Sequence, residues 1–118
     1  MGFKKIREGF NFLQGVGCSF EEAYNNAIIA GEILSYIIGS QKFFGAKVNL
    51  VGHSLGCRVI YKCLWHFSKN YPELKEIIND VIFLAGATDM GEIDEFNFNK
   101  IVNTFVGGRF INCLIRTP

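Results

Sequence analysis

The chain of 118 residues suits one domain with a modest hydrophobic core. With 49% hydrophobic and only 19% charged residues it is no disordered tail. Its net charge is +1 and its Lys and Arg residues are scattered, so it has neither the basic stripe of a nucleic-acid binder nor an acidic run.

Residues 4–13 have the spacing of a short amphipathic helix, and Gly15-Val16-Gly17 marks a loop after it. The spacing predicts a long helix over residues 20–44. Ala23, Ala27, Ala30, Leu34 and Ile37 recur at three- and four-residue steps and share one face. Ser19 and Glu22 make a capping box at its start, and Gly39 and Gly45 are candidate stops. Residues 48–52 form a short apolar run with β-branched members, a buried strand. Residues 55–68 then carry Val59, Ile60, Cys63, Leu64 and Phe67 at helical spacing. Pro72 followed by Glu73 predicts a second short helix over residues 72–78. Residues 81–85 are another apolar strand, ending at Gly86. A polar loop over 88–95 leads to a helix over 97–106, and Gly107-Gly108 turns the chain into a third strand over 110–115.

Continuous apolar strands alternating with helices predict a parallel sheet covered on both faces. Right-handed crossovers place the three strands side by side in chain order. The expected class is α/β: three layers, with a parallel sheet of at least three strands and flanking helices.

Mean hydropathy is +0.21, high for so small a domain. No apolar run reaches the roughly 18 to 20 residues that a membrane-spanning helix needs. The most apolar stretch, 27–38, is interrupted by Gly31, Glu32 and Ser35. The charged N-terminus leads into no signal-peptide core. A cytoplasmic chain without a transmembrane segment is expected, with membrane association as the alternative. Its surplus apolarity points to a face covered by more chain, a partner or a lipid surface.

Cys18, Cys57, Cys63 and Cys113 form no C-x-x-C pair, and His53 and His66 supply no metal-ligand spacing. Neither a metal nor a cofactor is expected. Reduced packing thiols are the plain reading of the cysteines. Thiol chemistry at Cys57, near a helix N-terminus, is the alternative.

The chemistry-bearing stretch is Gly52-His53-Ser54-Leu55-Gly56, set between the first strand and the helix after it. Lifting a serine oxygen clear of a strand end requires a turn so tight that glycine is needed two residues to either side. Gly52 and Gly56 stand at those positions. The helix beginning near Leu55 aims its free N–H groups and positive dipole end at the serine, and the Leu55 N–H is the expected oxyanion donor. The structural alternative is that Ser54 simply caps the helix. No Lys-Ser/Thr pair follows to make a phosphate loop, and Gly15-Val16-Gly17 lacks the third glycine of a dinucleotide fingerprint.

The stretches "VNLVGHSLGCRVIYKCL", "INDVIFLAGATDMG" and "IVNTFVGGRFINCLIRTP" together resemble the α/β-hydrolase fold. More narrowly, they resemble a poorly characterised hydrolase family that includes the transmembrane and coiled-coil domain-containing proteins. The resemblance runs from about Ala27 to Ile115 and implies a serine esterase or lipase-like activity with Ser54 as nucleophile. In that family a Ser-x-Asn-Asp-like segment follows the last strand and a histidine comes later; this sequence stops at Pro118, before either. Residues 1–118 are accordingly expected to form a single partial, truncated hydrolase-like domain.

A serine needs a base, itself oriented by an acid, in the chain order Ser, Asp or Glu, His. His66 is the one histidine after Ser54, and at 1.5 Å rise per residue it lies roughly 15 Å along the helix. His53 adjoins Ser54 and is expected to line the site. Asp89 is the candidate acid, because relatives of this fold sometimes place it there; Asp94 and Glu95 are alternatives in the same loop. No strand with an oxyanion loop precedes Gly15.

Two functions follow. One is a serine hydrolase of carboxylic esters or lipids, with its base supplied by a second chain or by further sequence. The other is an inactive hydrolase-like module that binds or interacts, through self-association or a partner that supplies the missing segment.

Overall fold

The computed structural model describes residues 20–41, 46–84 and 95–113. Helix α1 (Phe20–Gln41), strand β1 (Val48–His53), helix α2 (Leu55–Asn70), strand β2 (Ile78–Leu84), helix α3 (Glu95–Phe105) and strand β3 (Phe110–Cys113) alternate along the chain. The strands pair in the order β1-β2-β3, all parallel. Leu50 lies beside Val81 and Gly52 beside Phe83, while Val81 lies beside Phe110. Partners in a parallel ladder share a face, so these residues make one side of the sheet.

That side is the core. Phe98 of α3 stacks on Phe83 at 6.3 Å, meets Phe110 at 5.6 Å and Tyr61 of α2 at 4.6 Å. Helices α2 and α3 therefore cover the same face, as two successive right-handed crossovers running in one direction require. Helix α1 lies parallel to α2. Tyr24 meets Arg58 near the start of both, Gly31 meets Lys62 and Cys63, and Gly39 meets Tyr71 near their ends. The result is the expected α/β class, a parallel three-stranded sheet flanked by helices and consistent with a small three-layer fold.

Among the described residues, α2 and α3 pack on the face that carries Gly52 and Phe83. The opposite face carries exposed Asn49, Val51 and His53 on β1 and exposed Leu84 on β2, with Val51 62% exposed. Both crossovers of this strand order fall on the side of Gly52 and Phe83.

The buried face of α1 also differs from the expected one. Ala27, Gly31, Ser35 and Ile38 are buried, while Ala30 and Ile37 are exposed, together with Ile29, Ile33 and Tyr36. Small residues decide the rotation. A Cβ on Gly31 would stand 2.5 Å from the Val59 carbonyl oxygen and 2.7 Å from Lys62 Cβ. Such close packing of two helices is open only to the Ala27-Gly31-Ser35 side. Ser35 keeps its hydroxyl satisfied by donating to the Glu32 carbonyl at 2.6 Å.

The helix expected over 72–78 does not form. Leu74 N donates to the Tyr71 carbonyl at 3.0 Å in a turn, and Glu76 takes φ 70°, a left-handed conformation that no helix continues through. Strand β2 then starts at Ile78, three residues earlier than expected, because Ile78 pairs with both Val48 and Val106. The register slips between Val48 and Leu50, and Asn49 fills the gap by accepting from Asp80 N at 3.0 Å and Asn79 Nδ2 at 3.1 Å. Helix α3 begins at Glu95, two residues earlier than expected. The expectations for residues 1–19, the Gly45 stop, the Gly86 strand end and the acids Asp89 and Asp94 lie outside the described residues.

Candidate functional site

Strand β1 ends at His53 and α2 begins at Leu55, so Ser54 alone makes the turn. It does so at φ 60°, ψ −120°, a conformation of the kind that costs an L residue roughly 1–3 kcal/mol. The surroundings hold it there. Ser54 N donates to the Leu84 carbonyl at 3.1 Å, which ties the turn to the end of β2, and Cys57 N donates to the Ser54 carbonyl at 3.1 Å. A Cβ on Gly52 would come within 2.8 Å of Cys57 N and of the Gly56 carbonyl group, so glycine is required where the helix doubles back over the strand. At Gly56 the expected steric need is absent, since a Cβ there would meet nothing within 4 Å.

The helix-cap alternative fits this geometry poorly. A capping serine takes extended φ and accepts a bond from the first-turn N–H groups. Ser54 has positive φ and its side chain makes no cap hydrogen bond. The hydroxyl is half-buried at the C-terminal end of a strand, beside a helix N-terminus whose first N–H groups, Leu55's included, have no partner within the helix.

The other expected residues are less well assembled. His53 is exposed and lies on the opposite face of β1 from Gly52, next to Ser54 in the chain. His66 sits well along α2, with its ring edge-on to Trp65 at 4.9 Å. Asp89 falls outside the described residues, so the acid's position is not part of this geometry. Among the described residues no three His, Cys, Asp or Glu side chains gather as metal ligands.

Thiol chemistry at Cys57 is opposed by its setting. Burial pushes its thiol above the ordinary value, outweighing the backbone hydrogen bonds that pull it down. The thiol is used structurally, donating to the Gly52 carbonyl at 3.2 Å. Cys63, wholly buried, is pushed up to about 12 by the same desolvation. Both behave as packing residues.

One residue escaped the sequence reading. Arg58 is only 3% exposed, and its Nε and both terminal nitrogens have no hydrogen-bond acceptor among the described residues. Its guanidinium lies 3.7 Å from the centroid of the Tyr24 ring. The available signal was an arginine one helical turn after Ser54, followed by an almost unbroken apolar run.

Among the described residues no helix is long and apolar enough to cross a membrane. No solved structure matches the chain. A curated relative, "Uncharacterized membrane protein F35D11.3" of Caenorhabditis elegans, is 35% identical over 88 residues, covering 75% of this chain and 14% of the relative. The chain thus spans a small part of the length of that relative. The family described as "Protein of unknown function (DUF726)" matches residues 12–117, and the chain belongs to it.

Proposed function

We propose that the chain carries the nucleophile of a serine hydrolase that acts on carboxylic esters or lipids. The observation that supports this most is the backbone of Ser54: φ 60°, ψ −120°, with the hydroxyl free of any capping role. Strain of this kind persists where surrounding structure enforces it, and such positions cluster at active sites. Together with the resemblance to the α/β-hydrolase fold, it supports reading Gly52-His53-Ser54-Leu55-Gly56 as a nucleophile elbow.

In the reaction, Ser54 Oγ attacks the ester carbonyl carbon while its proton passes to a base. The oxyanion forms against the Leu55 N–H, and the bond to the alcohol breaks as the alkoxide takes up that proton. Water then cleaves the acyl-serine by the reverse roles, releasing the acid and restoring the hydroxyl. The base is an imidazole contributed from outside the described residues, oriented by an acid for which Asp89 is the candidate.

A second reading is a non-catalytic, hydrolase-like interaction module. It draws on the placement of the histidines, since His66 is spent against Trp65 and His53 lies on the other face of its strand. The relative's printed description as a membrane protein and the exposed Ile29, Ile33 and Ile37 of α1 support work at a membrane surface under either reading.

The test is labelling by a fluorophosphonate ester, in this chain and in a longer member of the family. Labelling that disappears in Ser54→Ala supports the hydrolase. A longer protein that folds and does not label overturns it in favour of the interaction module.

A further inference from the structure

Arg58 presents a physical problem that the elbow alone does not solve. A guanidinium stays charged at any pH a protein meets. Burying it without acceptors is among the most unfavourable arrangements a fold can hold. Here all three of its nitrogens are buried and none has an acceptor among the described residues; the exposed Glu21 and Glu22 of α1 do not hydrogen-bond to it. Stacking on Tyr24 at 3.7 Å compensates only in part.

The position of the side chain says what is missing. Helical side chains lean toward the N-terminus and cover the preceding turn. Arg58 therefore lies over the first turn of α2, four residues after Ser54 and on its side of the helix. Tyr24, at the start of the parallel helix α1, is half-buried and forms the lid over the guanidinium. Helix N-termini favour anions, and the guanidinium fork fits the oxygens of phosphate or carboxylate. Phosphate is the better match, because its oxygens can engage all three unsatisfied nitrogens.

We infer that Arg58, under the Tyr24 ring, is the binding residue for a phosphate group carried by the ester substrate. This rests on the hydrolase reading for the word substrate, and the site selects anionic acyl esters such as phosphate-bearing lipids over neutral ones. With the headgroup held at Arg58, the ester reaches Ser54 one helical turn away.

The test titrates the chain with short-chain phosphatidate, with diacylglycerol of the same acyl chains and with inorganic phosphate, following the Arg58 Nε–Hε resonance. Phosphatidate should move that resonance and bind at least about tenfold more tightly than diacylglycerol, as a charge-assisted hydrogen bond implies. Inorganic phosphate should bind more weakly than phosphatidate, and Arg58→Gln should remove the preference while Arg58→Lys keeps part of it. Equal binding of the two lipids by the wild-type chain overturns the inference without any variant. So does free phosphate binding as tightly as phosphatidate, or an Arg58 resonance already locked to a carboxylate of the protein. Fluorophosphonate labelling is read in parallel: a lipid preference without labelling at Ser54 sinks the hydrolase and leaves the anion site standing.

Discussion

Cys57 closes over Gly52. Its thiol donates to the Gly52 carbonyl at 3.2 Å, and its backbone nitrogen lies 2.8 Å from where a Cβ on Gly52 would be. The contact lets the first turn of α2 fold back onto the end of β1, and so it fixes where Ser54 stands. Because the obstructing atoms are backbone, no rotamer change makes room. Gly52→Ala should cost about 1–3 kcal/mol in urea unfolding. Gly56→Ala, whose new methyl meets nothing within 4 Å, should cost less than Gly52→Ala. Equal costs at the two glycines would mean that the turn is not built as described.

Ser54 offers a sharper test, because strain and chemistry can be separated there. Ser54→Gly removes the Cβ that makes φ 60° unfavourable, so the folded state should gain roughly 1–3 kcal/mol, less about 0.5–1 kcal/mol for the added freedom of glycine when unfolded. Ser54→Ala keeps the Cβ and should leave stability nearly unchanged. Both lose any fluorophosphonate labelling. A variant that gains stability as it loses its nucleophile identifies a position whose backbone serves function. Destabilisation by Ser54→Gly would remove the strain argument.

Much of this was legible from the sequence, and the misses share a cause. Strand, glycine-flanked serine and helix were readable because local chemistry dictates each: β-branched residues, the tight-turn glycine Gly52, helical spacing of Ile60, Cys63, Leu64 and Phe67. Tertiary contact decided what was misread. The 72–78 segment looks helical until Ile78 is claimed by two neighbouring chain segments, Val48 and Val106. Arg58 reads as a surface cation until packing against α1 buries it. In the site, the turn around Ser54 was encoded locally, whereas any base and acid that the proposed hydrolase would use lie in distant chain and leave no mark on the pentapeptide.

The orientation of α1 follows the same logic and can be checked directly. Apolarity alone favours the face with Ala30 and Ile37, yet the helix buries Gly31, whose missing Cβ would lie 2.5 Å from the Val59 carbonyl oxygen. In an open helix Gly→Ala gains about 1 kcal/mol. Here crowding should reverse the sign, with Gly31→Ala costing about 1 kcal/mol and Gly31→Val more. Ala30→Leu, at an exposed neighbour, should fall within about 0.5 kcal/mol of wild type. Thermal melts of the three variants would distinguish the two faces. A stabilising Gly31→Ala with a damaging Ala30→Leu would restore the orientation expected from periodicity.

Cys63 links burial to alkaline stability. Its thiol is pushed from 9.0 up to about 12 by desolvation. Between those values the unfolded chain has lost the thiol proton and the folded chain has kept it, so the unfolded state binds fewer protons and stability must fall as pH rises. Below about pH 9 both states are neutral at this site and the contribution is intact; through 12 it is lost. Cys57, also raised, acts in the same direction over the start of that window. The slope from one such group is at most about 1.4 kcal/mol per pH unit. Urea unfolding at pH 8.5, 9.5 and 10.5 should therefore show a decline that is shallower in Cys63→Ala, even though that variant starts from lower stability through its cavity. Every other group is common to both proteins and cancels in the difference. Parallel declines in the two proteins would show that Cys63 is not held in the desolvated core that the packing of α1 on α2 creates.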